Sequence, residues 1–420
     1  MTTQEKDPSM IFDNALGAQQ RSELLLNAHF DPVMSYGPKQ AAVLNDAAFE
    51  TARATISGWD GYAPTPLVSL PGLAAQAGVA AVHFKDEGGR FGLGSFKALG
   101  GAYAVLRLLA REVARIKGIA EPSGEEIVSG AHADVVSGIT VCCATDGNHG
   151  RSVAWGAQRF GCRCVIFIHA TVSEGRKEAI EAYGAEVRRC AGNYDDSVRE
   201  AQETATREGW FVVSDTSYPG YTEIPKDVMQ GYELMAAEAA DALELPPTHV
   251  FIQTGVGGVA AAVAAHFARR WGADAPKVIL ADPDRSACWL ETIRAGQPTA
   301  IEGDLDTLMA GLACGEVSLL AWDVLEPLTC AVVSVADPDA VAVMRMLADP
   351  VAGDPPVAAG ESAVAGLAGF LSVAANDEAR AALGIGPDSR ILTFGTEGDT
   401  DPELYRELVG RSAAEVRGAA

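Results

Sequence analysis

Short apolar runs alternate with alanine-rich amphipathic stretches along most of this chain. VHF (82–84), ITVCCAT (139–145), CVIFIHA (164–170), EVRRC (186–190), WFVVSD (210–215), HVFIQT (249–254), KVILADP (277–283), AVVSVAD (331–337) and SRILTFG (389–395) read as strands. Between them SVAWGAQRF, GRKEAIEAYG, PKDVMQGYELMAAEAADAL, GVAAAVAAHFARRWG and PDAVAVMRMLA read as helices. Several strand candidates carry no alternating polar face, as expected of strands covered on both sides. The alternation predicts an open parallel α/β sheet. Strand–helix clusters around 139–215 and 249–400 predict two lobes. The polar, acidic stretch 112–138 reads as a helix followed by a surface loop, and the last eight residues, AAEVRGAA, are expected to fray. No internal repeat is present.

Composition narrows the classes. With 420 residues, 48% of them hydrophobic and 21% charged, the chain can bury a large core. Its net charge of −24 argues against a nucleic acid or an anionic membrane as partner. No apolar run approaches the roughly 18 residues of a membrane span, and MTTQEKDPSM has no signal-peptide pattern. A cytoplasmic protein is expected. Its eight cysteines are then mostly reduced and buried; Cys162-Arg-Cys164 has the wrong spacing for a zinc knuckle, and no metal site is read.

Three stretches carry candidate chemistry. RFGLGSFKALGGAY (90–103) sets Lys97 among Ser95, Phe96, Ala98 and Leu99. So apolar a setting suits an amine that attacks a carbonyl, although a surface lysine opening a helix fits the same letters. HVFIQTGVGGVAAA (249–262) runs from a buried strand through Gly255, Val256, Gly257 and Gly258 into a helix, an arrangement of amides that binds a phosphate. An unliganded tight turn is its alternative. Neither GxGxxG with an acidic ribose ligand nor GxxxxGK[ST] is present, which disfavours dinucleotides and nucleoside triphosphates. Thr145-Asp146-Gly147-Asn148-His149-Gly150-Arg151 and Thr396-Glu397-Gly398-Asp399-Thr400-Asp401 follow strands, at the ends where open α/β sheets bind ligands; a self-satisfied Asp-Gly/Asn turn is the alternative for the first. One lysine, one phosphate-sized loop and polar strand ends together fit pyridoxal 5'-phosphate.

These segments resemble the fold type II, tryptophan-synthase-β-like pyridoxal-phosphate enzymes, and within them the diaminopropionate ammonia-lyases. KDEGGRFGLGSFKALGG (85–101), TDGNHGR (145–151), DTSYPGYTEIPKDVMQGY (215–232), DLDTLMAGLACGE (304–316), GESAVAGL (360–367) and TEGDTDPELYRE (396–407) follow the family order. The chain departs at Gly88 and Gly89, where the family usually has a serine and an aromatic residue, at Gly94 for Asn, and at Tyr218-Pro219 for Trp-Glu. The resemblance implies two open twisted parallel-sheet lobes with the cofactor between them: a large cofactor-binding domain of 1–100 and 217–420, and a small domain of 101–216. It implies a homodimer and a small amino-acid substrate.

By position, Lys97 would carry the cofactor as an imine, with Phe96 beside the ring and Glu361 near it. Asn148 would bond the phenolic oxygen, and Gly255, Val256, Gly257, Gly258 and Val259 the phosphate. Thr396 would face the pyridine nitrogen, a neutral hydroxyl where other pyridoxal enzymes place a carboxylate. Thr145, Asp146, Asn148, His149 and Asp215 would line the substrate, with Asp146 and Asp215 as catalytic carboxylates beside Lys97. Related dehydratases commonly have a serine in place of Asp146, and a carboxylate there suits a cationic Cβ substituent. For Asp215 a strand-end cap is the alternative. The family also suggests a Cys288–Cys314 disulfide, against which stands a pair of reduced, buried thiols. The implied reaction is α,β-elimination of D- or L-2,3-diaminopropionate to pyruvate and two ammonia. The rivals are another eliminase of this fold, acting on serine, threonine, hydroxyaspartate or an amino-sugar acid, a β-replacement synthase, and a silent cofactor-binding protein.

Overall fold

The computed structural model describes residues 22–31, 36–145, 147–192, 194–351 and 353–418. The chain forms two compact units: Met1–Gln40, Thr65–Gly88 and Ala236–Ala420 in the first, Ala41–Pro64 and Gly89–Met235 in the second.

Among the described residues the first unit holds a seven-stranded sheet. Its strands are β1 (Leu24–Leu26), β2 (Leu67–Ser69), β3 (Ala81–Asp86), β8 (His249–Gln253), β9 (Lys277–Pro283), β10 (Thr329–Val335) and β11 (Arg390–Gly395), in the order β1-β10-β9-β8-β11-β3-β2. The five central strands are parallel. The edges β1 and β2 run antiparallel, and at three residues each they are too short to show a periodicity in sequence. β8 and β10 are buried at every position, which is why they read as unbroken apolar runs. The helix Ala365–Ala374 lies directly on this sheet: a Cβ on Gly366 would sit 2.7 Å from the Phe251 carbonyl, and one on Gly369 2.7 Å from Val333.

The second unit holds a parallel four-stranded sheet, β6-β5-β4-β7, from β4 (Thr140–Ala144), β5 (Arg163–Ile168), β6 (Glu186–Arg189) and β7 (Phe211–Val212). The helices Lys97–Lys117 and Asn148–Phe160 pack against each other through glycine. A Cβ on Gly101 would lie 1.9 Å from Ser152 Oγ, and one on Gly156 2.8 Å from the Ala102 Cα.

This packing moves the expected boundaries at 100/101 and 216/217. The start of the Lys97 helix and residues 217–235 belong to the second unit because they are wedged together: a Cβ on Gly231 would lie 1.9 Å from the Leu99 carbonyl, and one on Gly100 2.4 Å from Tyr232. Residues 41–64 join the same unit, where the Trp59 ring lies 6.0, 5.8 and 5.7 Å from Phe91, Trp155 and Phe160. Two short helices, Gly124–Val128 and Ala133–Val136, fill part of the stretch read as a loop. Of the eight residues expected to fray, Ala413–Val416 is helical, with a reciprocal cap between Ser412 and Glu415, and 419–420 lie outside the described residues. None of the eight cysteines, Cys288 and Cys314 included, is joined in a disulfide.

Candidate active site

In the second unit Lys97 is the first residue of its helix, and its Nζ lies 2.5 Å from Asp215 Oδ2. The ammonium also stands 5.3 Å from the Phe96 ring centroid and 5.7 Å from that of Tyr232. It is therefore neither a surface lysine nor fully desolvated: both members of the ion pair keep one-fifth of their side chains exposed. Lys85, which lies between Phe84 and Asp86, differs. It is completely buried in the first unit and committed to Glu238 (2.6 Å) and the Thr65 carbonyl (2.7 Å).

Asp215 follows β7 on a stretch pinned by Tyr221, whose hydroxyl donates to the Val212 carbonyl at 2.8 Å and accepts from the Ser214 amide at 2.9 Å. Burial pushes the Asp215 carboxyl up, but the Lys97 charge and the bond from Lys97, with the His149 ring adding to them, overcome this. They hold it well below the usual carboxylate range. His149 is itself pushed down: burial first, with the Lys97 charge, outweighs the opposite pull of Asp215. Its Nε2 lies 2.8 Å from the Val213 carbonyl, which can only accept, so Nε2 carries the ring proton. Nδ1 is then a bare lone pair, 3.9 Å from Asp215 and without a hydrogen bond among the described residues. Thr145, at the end of β4, accepts the Gly147 and Gly150 amides on its hydroxyl (3.1 and 3.2 Å), leaving its proton available. Asn148 opens the following helix. Asp146 lies outside the described residues.

The first unit supplies the glycine turn between β8 and the helix Gly258–Trp271. Each carbonyl of that turn is engaged from behind. Gly255 O accepts the Trp289 indole at 3.0 Å, Val256 O the Ser318 amide at 2.9 Å, and Gly257 O the Ala261 amide at 2.9 Å. The groups left to meet a ligand are amides at a helix start, which suits a phosphate. Gly257 has φ +97, and a Cβ there would lie 2.2 Å from the fully buried Trp289 ring. Asp282 anchors the base of the turn: it accepts the Thr254 hydroxyl (2.7 Å) and the Trp289 and Leu290 amides (2.8 and 3.0 Å). Burial outweighs those bonds and pushes its carboxyl up to about 7.

Thr396, just past β11, and Glu361 are both buried in this unit. Their turns are tied together, the Gly360 amide to the Glu397 carbonyl at 3.1 Å and the Ser362 amide to the Glu397 carboxylate at 3.1 Å. Ser362 Oγ in turn accepts the Gly311 amide at 3.0 Å. So the MAGLACGE, GESA and TEGD segments converge where β8 delivers the glycine turn. The structure adds Tyr232, Tyr221, Trp289, Asp282 and Gln253. Of these Gln253 stood directly before TGVGG, and Tyr221 and Tyr232 within the DTSYPGYTEIPKDVMQGY segment; Trp289 and Asp282 lay in none of the segments that carried the chemistry.

Comparison with known proteins agrees with this geometry. A family model described as "Pyridoxal-phosphate dependent enzyme" matches residues 59–397. The chain is 38% identical over 357 residues to the diaminopropionate ammonia-lyase of Escherichia coli strain K12, covering 83% of this chain and 88% of that protein. It is 37% identical over 365 residues to the Salmonella typhimurium enzyme, covering 84% and 90%. The crystal structure of the Escherichia coli enzyme in complex with an aminoacrylate-PLP azomethine reaction intermediate superimposes with a TM-score of 0.81 at 35% identity, covering 92% of this chain and 96% of that one. The glycine turn, the lysine and these likenesses concur: the chain belongs to the pyridoxal-phosphate-dependent enzyme family, in its diaminopropionate ammonia-lyase group.

Proposed function

We propose that this protein is a lyase that eliminates ammonia from 2,3-diaminopropionate and releases pyruvate and a second ammonia. The observation that carries the reading is the Lys97–Asp215 ion pair: an amine suited to hold a carbonyl cofactor, in contact with a carboxylate suited to take a proton. When bound, pyridoxal phosphate supplies an electron sink for the carbanion left by Cα proton loss.

The protein's own residues do the rest. The amides of Gly255, Val256, Gly257, Gly258 and Val259 hold the phosphate, Lys97 the aldehyde carbon, Asn148 the phenolic oxygen and Thr396 the pyridine nitrogen, with Phe96 and Glu361 near the ring. Thr145, through its remaining proton, and Asn148 hold the substrate carboxylate. His149 was expected to share that task, but its one proton goes to Val213, so it serves as a neighbour of Asp215. While Lys97 is an ammonium, Asp215 is a weak base. Once the lysine nitrogen no longer carries that charge, the carboxylate loses its largest stabilising partner and its proton affinity rises. Asp215 then takes the Cα proton from one face, and Asp146 from the other or holds the leaving ammonium. We assign Asp146 to the D-isomer and Asp215 to the L-isomer. A cytoplasmic homodimer is part of the same reading. No helix among the described residues is long and apolar enough to cross a membrane.

Pyruvate release measured over D- and L-diaminopropionate, serine and threonine tests the substrate. Turnover of serine or threonine well above that of both diaminopropionate isomers would move the protein to the dehydratases. Pyruvate formed only when a thiol or amine is withheld would point to a replacement synthase.

A further inference from the structure

Gln253 is the last residue of β8 and is 1% exposed. β8 and β11 are parallel neighbours, pairing His249 with Ile391 and Phe251 with Thr393. That register brings the Gln253 side chain to the end of β11. Its Nε2 lies 2.7 Å from Thr396 Oγ1, 2.8 Å from the Phe394 carbonyl and 3.2 Å from the Ala363 carbonyl.

Two facts lock this amide. Both carbonyls can only accept, so the NH2 end must face them. The other end, Oε1, is buried without a hydrogen-bond partner among the described residues. An orphaned buried acceptor is disfavoured, yet turning the amide over would bring Oε1 against two carbonyl oxygens, which repel it more. An amide nitrogen has no lone pair to accept a hydrogen bond. The Thr396 hydroxyl is therefore the acceptor at this contact, and its own proton is left to be given elsewhere.

We propose that Gln253 is a positioning residue that sets the polarity of the Thr396 hydroxyl, making it a donor toward whatever ligand nitrogen it faces. This deepens the reading above and rests on Thr396 facing the pyridine nitrogen. A ring nitrogen that accepts from Thr396 is held without a proton. An unprotonated pyridine stabilises a carbanion less, which disfavours returning a proton to the substrate and favours loss of the β-ammonium. Gln253 thus biases the site toward elimination without touching the reacting atoms.

The experiment reconstitutes apoprotein with pyridoxal phosphate carrying 15N in the ring and reads the nitrogen chemical shift by NMR. The wild type should show an unprotonated ring nitrogen whose shift does not move with pH. Gln253→Glu supplies an acceptor for the Thr396 proton while one of its oxygens protonates to serve Phe394. The hydroxyl then turns its lone pair to the ring, and the shift should move toward the pyridinium form. Should a glutamate there prevent folding, Gln253→Met, similar in length but without the amide, should let the shift titrate with pH. A wild-type shift, unmoved by pH, in every folded Gln253 variant overturns the proposal, provided Thr396→Ala does change it. If Thr396→Ala also leaves the shift unchanged, Thr396 does not face the ring nitrogen, and both readings fall. A second readout is conversion of cofactor to its amine form during turnover, expected to rise in the Gln253 variants relative to pyruvate formed.

Discussion

Replacing Gly257 with alanine adds a single methyl group, and the structure says what it meets. The new Cβ would lie 2.2 Å from Trp289 Cζ2, 2.7 Å from Cε2 and 2.9 Å from Nε1, where ordinary contacts start near 3.4 Å. Trp289 cannot withdraw easily, because it is fully buried and its indole holds the Gly255 carbonyl. Overpacking of this kind costs about 1–3 kcal/mol, and a non-glycine residue at φ +97 adds about 1–2 kcal/mol. The total is roughly 2–5 kcal/mol. In the apoprotein the turn can relax by swinging away from the tryptophan, so much of that cost is avoided. Phosphate binding demands the original amide geometry and brings the cost back. If about 2–4 kcal/mol falls on binding, cofactor affinity drops by roughly 30- to 1,000-fold. The assay is titration of apoprotein with pyridoxal phosphate, followed by absorbance, alongside apoprotein melting. Gly386→Ala serves as the control, since a Cβ there meets nothing within 4 Å. Unchanged cofactor affinity in Gly257→Ala would refute the reasoning, because a turn that tolerates the methyl is not held by Trp289. A large loss of apoprotein stability with normal affinity would refute it too, by placing the cost on folding.

Borohydride reduction of the holoenzyme followed by peptide mapping should find the cofactor on Lys97, and an adduct on buried Lys85 would overturn the site. Asp215→Asn should depress turnover of the L-isomer by roughly 10²-fold or more, a typical loss for a general base, and comparatively spare the D-isomer. Asp146→Asn should do the reverse, and equal losses in either variant would end the division of labour. The depressed Asp215 carboxyl also makes a pH prediction for the apoprotein. Its contribution to stability is fully present above the unfolded-state value of about 3.9 and is lost as pH falls below that toward the folded-state value. Urea unfolding at several pH values should therefore show the stability gap between wild type and Asp215→Asn constant above about pH 5 and narrowing in acid, where the carboxylate is protonated. A gap that widens in acid would reverse the sign of the argument.

Much of the site was legible in the chain because its chemistry is local. β8 and β10 are buried at every position and β9 and β11 at all but the first, and so these strands announce themselves as apolar runs. The glycine turn and the TDGNHGR turn follow such runs directly, so their place at strand ends came with the pattern. Lys97 stood out because its neighbours are apolar. Other features depended on contacts that no local window contains. Lys97 and Asp215 are 118 residues apart and meet only because the Lys97 helix, the Asn148 helix and the stretch after β7 belong to one unit. Gly100, Gly101 and Gly231 are close-packing positions, where a Cβ would strike the Tyr232 ring, the Ser152 hydroxyl and the Leu99 carbonyl respectively. That packing also carried Lys97 and the first turn of its helix out of the expected large domain. Trp289 carries no sequence signal of its role beneath Gly257. Gln253 and Thr396, 143 residues apart, are joined because β8 and β11 lie side by side in the sheet. Pattern along the chain decides which residues are buried and which turns are sharp. Which of them touch is decided by strand order and helix packing, because hydrogen bonds and ion pairs form between neighbours in space.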